Sequence, residues 1–305
     1  MSRYRASLLV VTAAVSLQSG SAVATRLFDA LGAPGLLALR MGFGALLLAL
    51  VTRAWRAVPS RRAWPLVVAF GLVLGTMNLL FYLSLERIPL GVSVALELLG
   101  PLTVAVLGTR RARDLAWVGV AVLGVAVLVG PEVLPALGVG GAVTPLDPLG
   151  VALALAAGAC WGVYIVLGTR LSGLVAGSTG LAWAMLAASV VLVPLGVATA
   201  GPALLVPTLL LAGLAVAVLS AALPYALEMS AMRAVGASTF GVMMSLEPAI
   251  AALAGLVIAG QRLAPGTLVG MALVVVAVFA ALGRPGPARP PTGPASPTSA
   301  EPVLP

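Results

Sequence analysis

The sequence predicts an all-α membrane protein: ten transmembrane helices in two five-helix halves of opposite orientation. Ten apolar blocks, most of them close to the roughly 20 residues that cross a bilayer as a helix, run along the 305 residues. Arginines concentrate in alternate connections between those blocks. The fourth block of each set of five carries a lone glutamate, Glu97 and Glu247. A carboxylate inside an apolar span is costly and marks a solute or proton path by default.

Composition supports a lipid solvent. Apolar residues make up 61% of the chain and charged residues 9%, against about 25% charged in a soluble domain. The net charge of +8 raises the question of nucleic acid. The arginines lie in short connections, however, so they read as a topological signal and no nucleic-acid partner is expected. Histidine is absent and Cys160 is the single cysteine. No metal cluster is therefore expected, and proton handling falls to carboxylates. No phosphate-binding loop of the G-x-x-x-x-G-K-[ST] type occurs, which excludes ATP as the direct energy source and leaves no cofactor to expect.

The spans are placed at 6–25, 34–52, 64–84, 90–108, 115–130, 149–169, 179–199, 205–228, 237–259 and 265–283. Arg3 and Arg5 before the first, with Ala22-Val23-Ala24 after it, mimic a signal peptide. Nine further apolar blocks favour an uncleaved first span. The fifth is short. Residues 1–130 form the first half, 131–148 a glycine- and proline-rich extracytoplasmic connector, and 149–283 the second half. Residues 284–305 are rich in Pro, Ser and Thr and are expected to be a disordered cytoplasmic tail.

With the N-terminus in the cytoplasm, thirteen arginines fall inside and three (Arg26, Arg87 and Arg262) outside, while Arg40 lies within a span. That bias places both termini in the cytoplasm of a multi-pass inner-membrane protein. The halves echo one another. Thr25-Arg26-Leu27 ends the first span as Thr169-Arg170-Leu171 ends the sixth, Arg87 answers Arg233, and Pro101 answers Pro248. An odd number of spans per half turns the second copy over, the arrangement of alternating-access carriers.

Glu97 stands seven residues into the fourth span and Arg40 six into the second. Both spans enter from outside, so the two lie at similar depth, about 10 Å down at about 1.5 Å per residue. They are expected to pair or to share a polar cavity; the alternative is a buried ion pair that only fixes helix register. Pro101, four residues after Glu97, removes the N–H that the Glu97 carbonyl would receive, offering carboxylate and carbonyl as one polar ledge. Pro224 likewise frees the carbonyl of Ser220, and Pro248 that of Met244. Glu228 lies at the cytoplasmic end of the eighth span, either facing the cavity or paired with Arg233. Gln18, Asn78, Tyr82, Trp161, Tyr164 and Tyr225 add polar tips to apolar helices. Of these, Asn78 and Tyr82, four apart on one face, are deep enough to favour a cavity. Gly20, Gly71-x-x-x-Gly75 and Gly158-x-x-x-Gly162 read as close helix approach.

Four stretches are more specific: Ile88-Pro89-Leu90-Gly91-Val92-Ser93-Val94-Ala95-Leu96-Glu97-Leu98-Leu99-Gly100-Pro101-Leu102, Gly158-Ala159-Cys160-Trp161-Gly162-Val163-Tyr164-Ile165, Leu223-Pro224-Tyr225-Ala226-Leu227-Glu228-Met229 and Phe240-Gly241-Val242-Met243-Met244-Ser245-Leu246-Glu247-Pro248-Ala249. With Gln18-Ser19-Gly20, Gly32-Ala33-Pro34-Gly35 and Leu39-Arg40 they resemble the drug/metabolite transporter superfamily, EamA-type, and within it the threonine/homoserine exporter branch. The resemblance runs from about Leu8 to Gly283. It implies two inverted five-helix repeats around a central cavity, no enzymatic activity, and export of small amphipathic metabolites, amino acids first, against protons. It departs at Gly260-Gln261-Arg262, where the superfamily often has Gly-Glu. The expected partners are the cargo, protons and the bilayer, with a homodimer as the assembly to test for. An exporter of another metabolite or drug is the nearer alternative, and a membrane-embedded sensory or accessory subunit the more distant one.

Overall fold

The computed structural model describes residues 3–107, 112–129, 146–175, 177–224, 227 and 246–282. The described residues are mostly helical, with short turns between the helices and no strand among them. The helices are α1 (Arg3–Thr25), α2 (Phe28–Thr52), α3 (Trp64–Leu85), α4 (Leu90–Glu97), α5 (Leu99–Leu107) and α6 (Ala112–Val129). They continue as α7 (Pro148–Ser172), α8 (Gly177–Ala200), α9 (Pro207–Ala217), α10 (Glu247–Val257) and α11 (Pro265–Leu282). A 3-10 turn follows α2 and another follows α8, while α9 runs on into a π-helical turn, Val218–Ala222.

Among the described residues, five segments are long and apolar enough to span a membrane: Leu8–Thr25, Phe28–Thr52, Trp64–Leu85, Pro148–Ser172 and Thr179–Leu205. Leu90–Val104, Ala116–Leu128, Pro207–Ala222, Glu247–Val257 and Pro265–Ala280 are shorter apolar segments. These helices are apolar on every side, which suits burial on one side and lipid on the other. Large apolar residues such as Val51, Leu107 and Val190 are more than 70% exposed on the outer surface, where contact with acyl chains costs nothing and contact with water would.

Packing alternates between the two parts of the chain. α2 lies along α8, α3 along α7 and α8, α4 against α10, and α6 along α11. α7 touches both α4 and α5, whereas α1 touches α10 and the π turn. Small residues make these approaches possible. A methyl at Gly71 would overlap the carbonyl of Ala184, and one at Gly75 would sit 3.2 Å from Ala188, so α3 and α8 meet almost backbone to backbone. Two apolar clusters result. One joins α1, α2, α3 and α8, including Leu36, Leu37, Met41, Phe70, Tyr82 and Met185. The other joins α4 to α6 with α7 and α11, including Leu96, Leu128 and Val274.

Two expected spans begin or divide differently. The second helix starts at Phe28 and turns at Gly32 (φ 63°), where a residue with a Cβ would be strained. The Glu86 carboxylate, just past α3, accepts the Ala33 N–H at 2.6 Å and so occupies the donor exposed by that turn. The fourth span, expected as one helix over 90–108, is interrupted at Leu98 into α4 and α5. The missing N–H of Pro101 explains the position, since it falls four residues after Glu97. Most of the 131–148 connector and the whole 284–305 tail lie outside the described residues.

Candidate functional site

The most connected polar group inside the bundle is Arg40, at mid-length of α2 and half-buried. Its Nε donates to Ser220 Oγ at 2.7 Å and its Nη2 to the Ser220 carbonyl at 3.1 Å. Nη1 donates to Asn78 Oδ1, and lies 3.9 Å from Met41 Sδ. The guanidinium carbon stands 5.4 Å from the ring centroid of Tyr82, within cation–π range. Each partner is itself anchored. Asn78 Nδ2 donates to the Leu74 carbonyl one turn back, and Ser220 Oγ to the Val216 carbonyl. Arg40 is thus clamped between α3 of the first half and the π turn of the second by neutral acceptors.

Asn78 and Tyr82, expected on one face of the third span, both reach Arg40. Tyr82 is fully buried, with its ring edge-on to Phe28. Its hydroxyl is near the Ser220 side chain but makes no hydrogen bond of ordinary geometry, and the Gln18 Oε1 buried in α1 has no hydrogen-bond partner among the described residues. Buried polar atoms left in this state call for a water or a ligand. Glu97, 9% exposed at the end of α4, makes no hydrogen bond or ion pair among the described residues. Of the two arrangements expected from the sequence, a direct Arg40–Glu97 ion pair is absent among the described residues, the guanidinium being taken up by Ser220 and Asn78. The Arg40 charge nonetheless acts on the Glu97 carboxyl across the space between them.

The polar ledge expected at Glu97 is also corrected. A methyl at Gly158 would lie 2.7 Å from the Glu97 carbonyl oxygen, and one at Gly100 would overlap the Gly158 carbonyl. The carbonyl that Pro101 leaves without an N–H thus faces the backbone of α7, where a Cα–H can reach it. Only the carboxylate of Glu97 remains on offer.

Glu247 opens α10, 4% exposed, with Pro248 in its first turn. Met244, whose carbonyl Pro248 was expected to free, lies outside the described residues, as do Tyr225 and Glu228. Pro224 is buried just past the π turn. Trp161 packs on the second apolar cluster. Tyr164 stacks on Phe70 at 4.6 Å, an aromatic packing role. Sequence reasoning singled out the Ser220 carbonyl through Pro224 and missed the Ser220 hydroxyl, because a serine in an apolar helix carries no distinctive spacing.

Away from Arg40, the ends of α1 and α3 and the start of α2 meet the segment after α10. They enclose an open cavity of about 640 Å³ lined by Arg26, Asp29, Glu86 and Gln261, with Thr25 and Phe28. Gln261 Oε1 accepts the Leu90 N–H, the first of α4, at 3.0 Å. The departure at Gln261 therefore keeps the acceptor that a helix start needs and gives up only the charge. Nearby, Arg87 and Asp147 form an exposed ion pair at 2.9 Å. Asp147 also caps α7 by accepting the Leu149 N–H. Hydrogen bonding from Arg87, then from the Leu149 N–H, holds the Asp147 carboxyl below its ordinary range.

Comparison with known proteins agrees with this architecture. Residues 148–283 match the EamA-like transporter family. The chain is 43% identical over 270 residues to the threonine/homoserine exporter RhtA of Salmonella typhimurium (strain LT2), covering 88% of each protein. It is 42% identical over 269 residues to the protein of the same name from Escherichia coli (strain K12), again covering 88% of each. A solved structure described only as "Crystal structure of protein" superposes with a TM-score of 0.58 at 21% identity, over 92% of this chain and 97% of the other. At that identity the likeness concerns the fold.

Proposed function

This chain belongs to the EamA-like transporter family, and on that premise we propose that it exports small amino acids, threonine or homoserine, from the cytoplasm by proton antiport. The observation that carries the reading is Arg40: a guanidinium inside the bundle whose hydrogen-bond partners among the described residues are all neutral, with the buried Tyr82 ring beside it. An ionised group in such a place is retained for function more readily than for stability. An α-amino acid supplies the complementary charges, a carboxylate for Arg40 and an ammonium for a carboxylate such as Glu97. The substrate named for the relatives supports the same class.

Two inverted five-helix repeats provide the frame. Number the apolar segments one to ten in chain order, so that α4 with α5 is the fourth and α9 with the π turn the eighth. Segment contacts two–seven, four–nine and five–ten map onto themselves when the halves are exchanged. Three–six exchanges with one–eight, three–seven with two–eight, and four–six with one–nine, and every member of these pairs is in contact. The 148–283 family match coincides with the second repeat. The arginine bias supports an inner-membrane protein with both termini in the cytoplasm. Glu97, with Glu247 as its counterpart in the second repeat, carries the exchanged proton. Gln18, Asn78, Tyr82, Trp161 and Tyr225 line the path, with Glu228 at its cytoplasmic end, and the prolines at 101, 224 and 248 give the bending points.

Reconstitution into vesicles with an acidic interior tests this. Outward proton flow drives labelled threonine inward above its external concentration, and an uncoupler abolishes the accumulation. Accumulation no greater than in protein-free vesicles would overturn the proposal. Transport of unrelated drugs or nucleosides in preference to threonine would overturn the choice of cargo.

A further inference from the structure

The eighth apolar segment leaves α-helical pairing where it meets the first half. In an α-helix the Leu223 N–H would reach Leu219 and the residue at 224 would reach Ser220. In the π turn the Leu223 N–H goes to the Val218 carbonyl instead, and Pro224 has no N–H to give. The two bypassed carbonyls are taken by donors from the other half of the chain. Ser16 Oγ on α1 donates to the Leu219 carbonyl at 2.7 Å, and Arg40 Nη2 on α2 donates to the Ser220 carbonyl at 3.1 Å. The helices touch here: a methyl at Gly20 would lie 2.9 Å from Ser220 Cβ. π-Helical turns of this kind concentrate at functional sites and give a helix a place to re-pair.

We infer that Ser220 is a positioning residue for Arg40, and that the free carboxylate of the cargo displaces Ser220 from the guanidinium, releasing the π turn from the first half. The inference rests on the amino-acid export reading and adds the group on the cargo that is recognised and the joint that responds. The reason is the chemistry of the partners. Ser220 presents Arg40 with a hydroxyl oxygen and a carbonyl oxygen, both neutral. A carboxylate offers two charged oxygens to the same fork, and such charge-assisted pairs are about twice as strong as neutral ones. The buried Tyr82, whose ring lies beside the guanidinium and whose hydroxyl is near Ser220, supplies one more donor for that anion once Ser220 is displaced. Once the carboxylate binds, the Ser220 carbonyl loses its Arg40 donor, and among the described hydrogen bonds only that from Ser16 still ties the turn to the first half. Binding thereby loosens the contact that must change when the halves rock, as coupling requires.

The test uses the full chain in proteoliposomes, measuring counterflow of labelled threonine with threonine amide as competitor. The amide keeps the ammonium and the side chain but has no carboxylate. Wild-type protein is expected to ignore the amide. Ser220→Ala removes the hydroxyl bond that the carboxylate has to displace, and is expected to lower the half-saturation concentration for threonine about tenfold with a smaller change in maximal rate, the size of one lost bond to a charged group. Ser220→Thr, which keeps the hydroxyl, restores the wild-type value. Amide competing as well as threonine in the wild type would overturn the inference without any variant. So would Ser220→Ala with unchanged half-saturation and discrimination. Absence of threonine counterflow in the wild type would instead overturn the export reading on which the inference stands.

Discussion

Gly158 of α7 lies against the carbonyl of Glu97, so close that a methyl group there would sit 2.7 Å from the oxygen. The break between α4 and α5 is therefore plugged by a neighbouring backbone, and the small residue is what admits it. Gly158→Ala is expected to overpack this contact and to cost about 1–3 kcal/mol. The check is a fall in the thermal unfolding midpoint of the purified protein in detergent; an unchanged midpoint would contradict the contact.

Glu97 tests the pathway itself. Glu97→Gln keeps the volume and removes the charge, at a position with no ion pair among the described residues. The variant is expected to express and unfold like the wild type while export of preloaded threonine from cells is lost. Normal export by well-folded Glu97→Gln would remove Glu97 from the mechanism.

Gln261 holds the start of α4 through the Leu90 N–H. Gln261→Leu removes the acceptor and leaves that donor unmet, an effect of about 1 kcal/mol by analogy with lost helix caps. Gln261→Glu keeps an acceptor and adds a charge favourable to a helix N-terminus. Melting temperatures should therefore fall for the leucine variant and hold or rise for the glutamate variant. The reverse order would show that Gln261 does not act as a cap.

Asp147 gives a pH dependence outside the spans. Its carboxyl is held below the ordinary range by Arg87 and the Leu149 N–H, so folding favours the ionised form. Its contribution is complete above the ordinary carboxylate pKa of about 3.9 and is lost as pH falls through the lower folded value. Asp147→Asn should flatten that part of the acid unfolding curve and change little at neutral pH. An unaltered acid profile would contradict the ion pair as a stabilising contact.

The positions of the helices were legible because lipid demands long apolar runs, and α1, α2, α3, α7 and α8 follow such runs closely. Arg40, Asn78 and Tyr82 were legible because ionisable or amide groups stand out against alanine, valine and leucine. What joins them was not. Asn78 binds Arg40, as depth on one face suggested, but the other partner is Ser220, from a helix 180 residues later. The signal for it was Pro224, which points to a carbonyl rather than to a hydroxyl. Glu97 matched Arg40 in estimated depth and feels its charge, yet depth along a helix does not say which neutral groups will take the guanidinium first. The π turn was invisible to periodicity, since one inserted residue in a uniformly apolar helix leaves the pattern intact.

The most direct measurement is counterflow with wild-type protein and Arg40→Gln side by side, in vesicles preloaded with unlabelled threonine. The account predicts a transient excess of labelled threonine inside wild-type vesicles, and none for a folded Arg40→Gln. Equal excess in both would contradict the central place given to Arg40, and no excess in either would contradict amino-acid transport by this chain.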